Sequence, residues 1–180
     1  MSKRKVNLVI ICEDTQQECF ARRFLYGMGW EKHQLRIQKS PSGRGSGEQW
    51  VREKYVEEIR NHSRRNVRYA IAALVDGDTT GVSGRIQQFD NECIEQGVSV
   101  RSAADEVAII IPTRNIETWI NYLKGEEVDE YSIYPKLRYE SECQPAVDKL
   151  LKMCKASGLP DEAPSSLKAA CEEFRQRIQE

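Results

Sequence analysis

The sequence predicts an α/β domain in which a mainly parallel sheet is flanked by helices, followed by a C-terminal helical extension. Apolar runs of strand length alternate with segments of helical period from residue 6 to residue 124. The runs at 6–12 and 67–75 are almost continuously apolar, which is typical of strands buried on both faces of a parallel sheet. Two further helical patterns, near 146–157 and 166–179, come last.

The spacing of apolar residues distinguishes predicted strands from predicted helices. The segment 34–40 alternates apolar and polar residues as a strand does, whereas the helical segments carry apolar residues three and four positions apart. Thr15 and Glu18 have the spacing of a capping box at the start of the first helix. The predicted order is strand 6–12, a helix opening at 14–18, strand 34–40, helix 48–62, strand 67–75, helix 82–94, strand 107–111 and helix 116–123.

This pattern divides the chain into two parts. We expect residues 1–124 to form the α/β domain. Residues 125–180 are expected to be an irregular acidic segment followed by two helices that pack on that domain.

Composition excludes several classes of protein. The chain has 180 residues, of which 39% are hydrophobic and 31% charged, as in globular rather than disordered proteins. Its longest apolar runs, 8–12 and 107–112, fall far short of the roughly 18 residues of a membrane span. The six cysteines form no CxxC pair and no zinc pattern. We therefore predict a reduced, cytoplasmic protein with no membrane association.

Charge is distributed unevenly along the chain. Residues 1–85 carry 16 Lys and Arg against 10 Asp and Glu, while residues 86–180 carry 11 against 18. A basic half of this kind, with Arg44 in a glycine-rich loop, fits contact with a polyanion such as nucleic acid. An ordinary solvated surface accounts for the same counts.

Acidic residues follow three of the predicted strands. Glu13 closes the first strand, Asp76 and Asp78 close the third, and Glu117 lies just inside the helix after strand 107–111. The carboxyl ends of parallel strands meet at one edge, where ligands bind in such sheets. Because residues i and i+2 of a strand point to the same side, we expect Asp76 and Asp78 to converge on one cation, with Gly77 allowing a turn. Taken singly, each acid also fits a turn or a helix terminus.

This order of strand-Glu, helix, strand, helix and strand-Asp-x-Asp resembles the TOPRIM domain of topoisomerases, bacterial primases and OLD-type nucleases. The segment 9–20, VIICEDTQQECF, is similar to the OLD-type opening V-E-G-x-T-E-x-x-F, with Glu13 and Phe20 at the family spacing. The segment 111–119, IPTRNIETW, resembles a downstream segment of small stand-alone TOPRIM proteins. The resemblance implies a TOPRIM-like, Rossmann-like sheet.

The resemblance also implies a function. TOPRIM sites use acids and Mg²⁺ to break or make phosphodiester bonds, so we expect Mg²⁺ or Mn²⁺ to be held by Glu13, Asp76, Asp78 and Glu117. Arg114 is expected to contact a scissile phosphate. The resemblance thus implies a metal-dependent nuclease acting on DNA or RNA.

Two departures from the OLD-type pattern keep a second hypothesis open. Asp14 replaces the family glycine, and Gln17 replaces a carboxylate, with Glu18 one position late and interpreted as a capping residue. A catalytically weak TOPRIM-like subunit that binds nucleic acid or a partner is the alternative. Because the chain has no Walker motif, any ATP-driven step would come from a separate ATPase.

Overall fold

A computed structural model of the protein describes residues 7–43, 45–64 and 68–178. Arg44 in the predicted loop, and Val6 and Val67 in the predicted strands, lie outside these residues. Within the described ranges, no helix combines the length and apolar character needed to cross a membrane.

The predicted α/β class is confirmed, with strands and helices in the expected order. Among the described residues four strands form one sheet in the order β2-β1-β3-β4, and every neighbouring pair is parallel. The elements are β1 (Asn7–Cys12), α1 (Thr15–Gly27), β2 (Leu35–Lys39), α2 (Gly47–Arg64), β3 (Tyr69–Leu74), α3 (Gly81–Glu95), β4 (Val107–Ile110), α4 (Ile116–Leu123), α5 (Gln144–Lys155) and α6 (Ser165–Arg177), with 3₁₀ turns at Lys32–Gln34 and Glu140–Cys143.

Helices cover both faces of the sheet, because alternate side chains of each strand point to opposite sides. Val9 and Ile11 of β1 join a core with α2 and α3 on one face. Leu8, Ile10 and Cys12 join a second core with Leu25 of α1 on the other face. All six residues of β3 are buried, as its continuous apolar run predicts.

The C-terminal extension packs on the second face. A third core cluster joins α1, α4, α5 and α6, centred on Phe20, Trp119 and Leu150. At the open edge of the sheet, the Glu173 carboxylate of α6 accepts a hydrogen bond from the Ile109 backbone N–H at 3.0 Å. This contact satisfies a donor that an edge strand otherwise leaves to solvent.

The start of α1 differs from the predicted capping box. The N-cap is Asp14, whose carboxylate accepts from the Gln17 N–H at 2.9 Å. Thr15 is instead the first helical residue, and Glu18 forms ion pairs with Arg22 and Lys39. Asp14 has extended backbone angles, so the position where the family has glycine requires no glycine here.

Candidate functional site

Strand order locates the candidate site. From β1 the chain moves to β2 on one side of the sheet and then returns to β3 on the other side of β1. In open parallel sheets, this reversal leaves a crevice at the carboxyl ends of the two central strands. Glu13 directly follows β1, and Asp76 follows β3 by two residues. The two acids therefore flank the crevice.

A closed ring of hydrogen bonds joins these acids. The Asp76 backbone N–H donates to Glu13 Oε1 at 2.6 Å, and the Glu13 backbone N–H donates to Gln17 Oε1 at 2.9 Å. Gln17 Nε2 then donates to Asp76 Oδ1 at 3.1 Å. Gln17 is 1% exposed, so its amide is a fixed part of the site. An uncharged amide thus supplies a donor to Asp76 where the OLD-type pattern has a carboxylate.

Asp76 and Asp78 do not project together as strand residues, because β3 ends at Leu74. The segment after β3 continues beside the segment after β4: Gly77 N–H donates to the Pro112 carbonyl and Asp78 N–H to the Arg114 carbonyl, both at 2.9 Å. Asp78 itself adopts a left-handed backbone conformation, with φ of +50°. The i, i+2 argument from strand geometry was therefore wrong for this pair.

The role of Gly77 also differs from the expected turn. A Cβ atom at this position would lie 2.1 Å from the Thr113 carbonyl oxygen. Glycine is required here because the two backbone segments approach closely, and this approach brings the end of β3 beside the start of α4.

Arg85 is a site residue that the sequence reasoning missed. Its side chain is 7% exposed; Nη2 lies 3.1 Å from Asp78 Oδ2, Nη1 lies 3.1 Å from Glu48 Oε2, and Nε donates to the Asp76 carbonyl at 3.0 Å. The available signal was its position three residues after Val82 and four before Phe89, a charge on the apolar face of α3. Arg85 draws the Asp78 carboxylate, 59% exposed, to the rim of the site.

Glu117 lies in the first turn of α4, as predicted, and is 2% exposed. Its Oε1 atom is buried and has no hydrogen-bond partner among the described residues. The nearby cation is Lys136, which donates to Asp14 Oδ2 at 3.2 Å and whose pKa is raised by Asp14, with smaller contributions from Glu117 and Asp76. An orphaned carboxylate oxygen in a buried position is costly unless a ligand satisfies it.

Arg114 lies at the same edge. Its Nη1 donates to the Asp78 carbonyl at 3.1 Å, while its buried Nε has no partner among the described residues. The guanidinium is thus anchored at one nitrogen beside the acids, where we predicted a phosphate contact.

Burial governs the protonation of the acids. It raises the pKa of Asp76 to about 8, with repulsion from Glu13 adding to the effect and the Gln17 hydrogen bond opposing it. Burial likewise raises the pKa of Glu13 to about 7, against the hydrogen bond from Asp76 and with repulsion from Asp78. The pKa of Glu117 is raised by burial and by Asp14. Each of these three acids thus has at least one other acid near enough for repulsion to raise its pKa.

The carboxylates at this edge suit a hard cation that keeps several water ligands. In the described ranges, no three His, Cys, Asp or Glu side chains are already arranged around a common metal position. Mg²⁺, however, is commonly held by one or two carboxylates, with water and substrate phosphate completing its shell. Glu13 and Asp76 would be such a pair, and the Glu117 oxygen that has no partner among the described residues would be a further acceptor.

Several basic residues in the described part of the first half form ion pairs within the fold. Arg36 pairs with Glu58, Arg52 with Glu48 and Glu92, and Lys54 with Glu57. Because Glu58, Glu48 and Glu57 belong to the same half, these pairs leave the excess of Lys and Arg over residues 1–85 almost unchanged.

Comparison of the chain with family models, with curated proteins and with solved structures gives no match.

Proposed function

We propose that this protein is a Mg²⁺-dependent nuclease of the TOPRIM type that cleaves phosphodiester bonds in DNA or RNA. The observation that carries the proposal is a group of acids at the switch point of a parallel sheet: Glu13 and Asp76 are partly buried, and Glu117 is buried with one carboxylate oxygen that has no partner among the described residues. Buried acids with raised pKa values lower their free energy when a cation offsets their charge. The TOPRIM resemblance adds the reaction class.

Each residue has a part in this proposal. Glu13 and Asp76 would hold the ion, with Glu117 as a further acceptor and Asp78 at the rim. Bound Mg²⁺ supplies charge neutralisation at the phosphate oxygens and activation of water. In the alternative role, Glu13 would not hold the ion, and its pKa of about 7 would then suit proton transfer near neutral pH. Arg114, anchored on the Asp78 carbonyl, would orient the phosphate group.

A metal-dependent melt tests the proposal. Wild type, Asp76→Asn and the control Asp148→Asn, which alters an exposed aspartate of α5, are melted with and without 5 mM Mg²⁺ or Mn²⁺ (roughly 100 times an assumed Kd of ~50 µM). We expect the metal to raise the melting temperature of wild type and the control by several degrees, and that of Asp76→Asn by much less.

Cleavage is measured on the same three proteins with single- and double-stranded DNA and RNA oligonucleotides. We expect Asp76→Asn to lose at least about 100-fold in rate, while Asp148→Asn keeps the wild-type rate. Equal metal shifts in all three proteins would overturn Asp76 as a ligand. Absence of both a metal shift and cleavage in wild type would overturn the nuclease proposal.

A second candidate function is favoured by a specific contact. Gln17 and Arg85 provide internal partners for Asp76 and Asp78, so the acids are partly satisfied without a metal. This arrangement suits a catalytically weak TOPRIM-like subunit that binds nucleic acid or works with a separate ATPase. Oligonucleotide binding by wild type, with neither a metal shift nor cleavage, is the result that would select this candidate.

A further inference from the structure

Two neighbouring spaces lie along α6, on the face of the sheet that carries the C-terminal extension. The inner cavity, of about 80 Å³, is lined only by hydrophobic side chains of the sheet and of α1, α4, α5 and α6. The outer cleft, of about 240 Å³, lies between α6 and the end of α5 and has charged side chains in its walls. Phe24, Cys171 and Phe174 line both. The inner cavity and the outer cleft are therefore adjacent.

Small side chains account for the inner cavity. Ala21 of α1, Ala72 of β3 and Ala170 of α6 all line it, and none of them is long enough to fill it. It lies between the two core clusters of this face, one with Leu8 of β1 and the other with Trp119 of α4. A cavity of this kind lowers stability in proportion to its volume, because the side chains around it lack contacts on one side. An apolar ligand that entered the cavity would restore those contacts.

An aromatic pair lies at the boundary between the inner cavity and the outer cleft. The rings of Phe24 and Phe174 meet edge to face, with their centroids 5.4 Å apart, and both side chains are only partly buried. Because both rings line both spaces, passage from the cleft to the cavity depends on side chains rather than on the backbone of a helix.

The outer cleft offers a cation to an anionic group. Lys168 of α6 is exposed, and its Nζ donates to the Asp161 carbonyl at 2.8 Å. Within the described ranges no carboxylate forms an ion pair with Lys168, whereas Arg175, the other cation of the cleft, pairs with Glu172. The walls of the cleft thus carry one positive charge that no ion pair offsets, which suits a single carboxylate.

We propose that the two spaces together bind a small amphipathic carboxylate, of the class of medium-chain fatty acids. Its apolar end would lie in the inner cavity and its carboxylate beside Lys168. The arrangement matches the usual ligand site, in which mostly hydrophobic walls surround the ligand and a few polar groups fix its orientation.

The sizes of the two spaces agree with such a ligand. The inner cavity is about half as large as an engineered cavity of roughly 150 Å³ that binds benzene, so it takes only the end of an alkyl chain. The rest of the chain would lie in the larger outer cleft, which leads to Lys168. The inference rests on these two spaces alone and does not depend on the proposed nuclease activity.

Thermal melts of the full chain test for binding. The probe is sodium octanoate at about ten times an assumed Kd of ~0.5 mM, with sodium acetate at the same concentration as the control. We expect octanoate to raise the melting temperature of wild type by about 3–5 °C and acetate to leave it unchanged. No shift with octanoate, or an equal shift with acetate, would overturn the proposal.

Substitutions test the two ends of the site. Ala170→Leu fills the inner cavity and should lose most of the octanoate shift. Lys168→Gln should raise the Kd for octanoate about 2–5-fold, as expected for an exposed ion pair, and leave that for uncharged octanol unchanged. The matched control Lys149→Gln alters an exposed lysine of α5 outside the cleft and should bind as wild type does. Equal octanoate affinity in both lysine variants, or a full shift in Ala170→Leu, would overturn the assignment.

Tryptophan fluorescence tests the orientation of the ligand and needs no cavity-filling variant. Trp119 lines the inner cavity, and a bromine atom in contact with an indole ring quenches its emission. Octanoate with bromine at the chain end should therefore quench wild type more than octanoate with bromine beside the carboxylate. Trp119→Phe should lose this difference. Equal quenching by the two brominated acids, or a difference that persists in Trp119→Phe, would overturn the proposed arrangement.

Discussion

Two buried glutamates of this protein have opposite surroundings. Glu58 in α2 is 5% exposed and accepts from Arg36 Nη2 at 2.6 Å, from Gln38 Nε2 at 2.6 Å and from the Tyr69 hydroxyl at 2.9 Å. Glu117 in α4 is 2% exposed and has an unpartnered oxygen. The first is fully satisfied within the fold, whereas the second lies among other acids.

This contrast distinguishes a buried acid with a structural role from acids that we propose to bind a ligand. A buried carboxylate with a cation and two hydrogen-bond donors stabilises the native state once it is assembled, because removing one partner leaves the rest unsatisfied. A buried carboxylate among other acids destabilises the protein unless a ligand neutralises it. The edge with the buried Glu117 and the partly buried Glu13 and Asp76 is of the second kind, which is why we propose the ligand site there.

The largest expected effect comes from breaking the satisfied site. Glu58→Ala should lower the free energy of unfolding by about 2–3 kcal/mol, since it leaves Gln38, Tyr69 and Arg36 without an acceptor. This loss of stability is small for the removal of one partner of a buried ion pair, because the Arg36 side chain is 53% exposed. Urea denaturation measures it. Glu58→Gln, which keeps the shape, should lose about half as much. A change below about 0.5 kcal/mol in both variants would contradict the structural role.

The pH dependence of stability tests the acids of the candidate site, in contrast to Glu58. Glu13 and Asp76 have folded-state pKa values of about 7 and 8, above their ordinary values of 4.5 and 3.8. At a pH between its ordinary and its folded-state pKa, each acid keeps its proton in the folded chain and has lost it in the unfolded chain. The free energy of unfolding should therefore fall as pH rises from about 5 to 8.

Urea titrations across this pH range check the sign of the dependence. The double variant Glu13→Gln/Asp76→Asn should show a much flatter profile, and Mg²⁺ should flatten that of wild type if it binds between the acids. A double variant with the same slope as wild type would show that other groups cause the pH dependence.

The smallest expected effect is a gain in stability. Glu117→Gln removes a buried charge that lacks a full set of partners, so it should stabilise the metal-free protein by about 0.5–1 kcal/mol. Glu58→Gln, the same chemical change at the satisfied site, should destabilise it. Parallel urea titrations compare the two. If both glutamines lower stability equally, the distinction between the two sites fails.

Periodicity predicted most of the fold because each element had a strong local pattern. The continuous apolar run that becomes β3 and the i, i+3, i+4 stripe of α4 admit few other structures once buried. The segment 125–143 had no such pattern, and its contacts are long-range: the Glu130 carboxylate accepts from Thr113 after β4 and from Ser165 at the start of α6. Such contacts leave no trace in a local window of sequence.

For the candidate site, the sequence predicted which acids lie at the same edge of the sheet, but it did not predict how each side chain is oriented. Acids after β1 and β3 of a parallel sheet must share an edge, so the placement of Glu13 and Asp76 followed from strand order. The orientation of Asp78 did not, because β3 ends before it and Arg85 engages its carboxylate.

The sequence by itself determined which residues form strands and helices, and that acids follow the strands, because these depend on local apolar period and chain order. Only the tertiary structure decided which acids are satisfied and which are not. It placed Gln17 against Asp76 and Arg85 against Asp78, and it left the Glu117 oxygen without a partner among the described residues. Hydrogen bonding and burial depend on groups far apart in the chain, and both the pKa of a carboxylate and its readiness for a ligand depend on them.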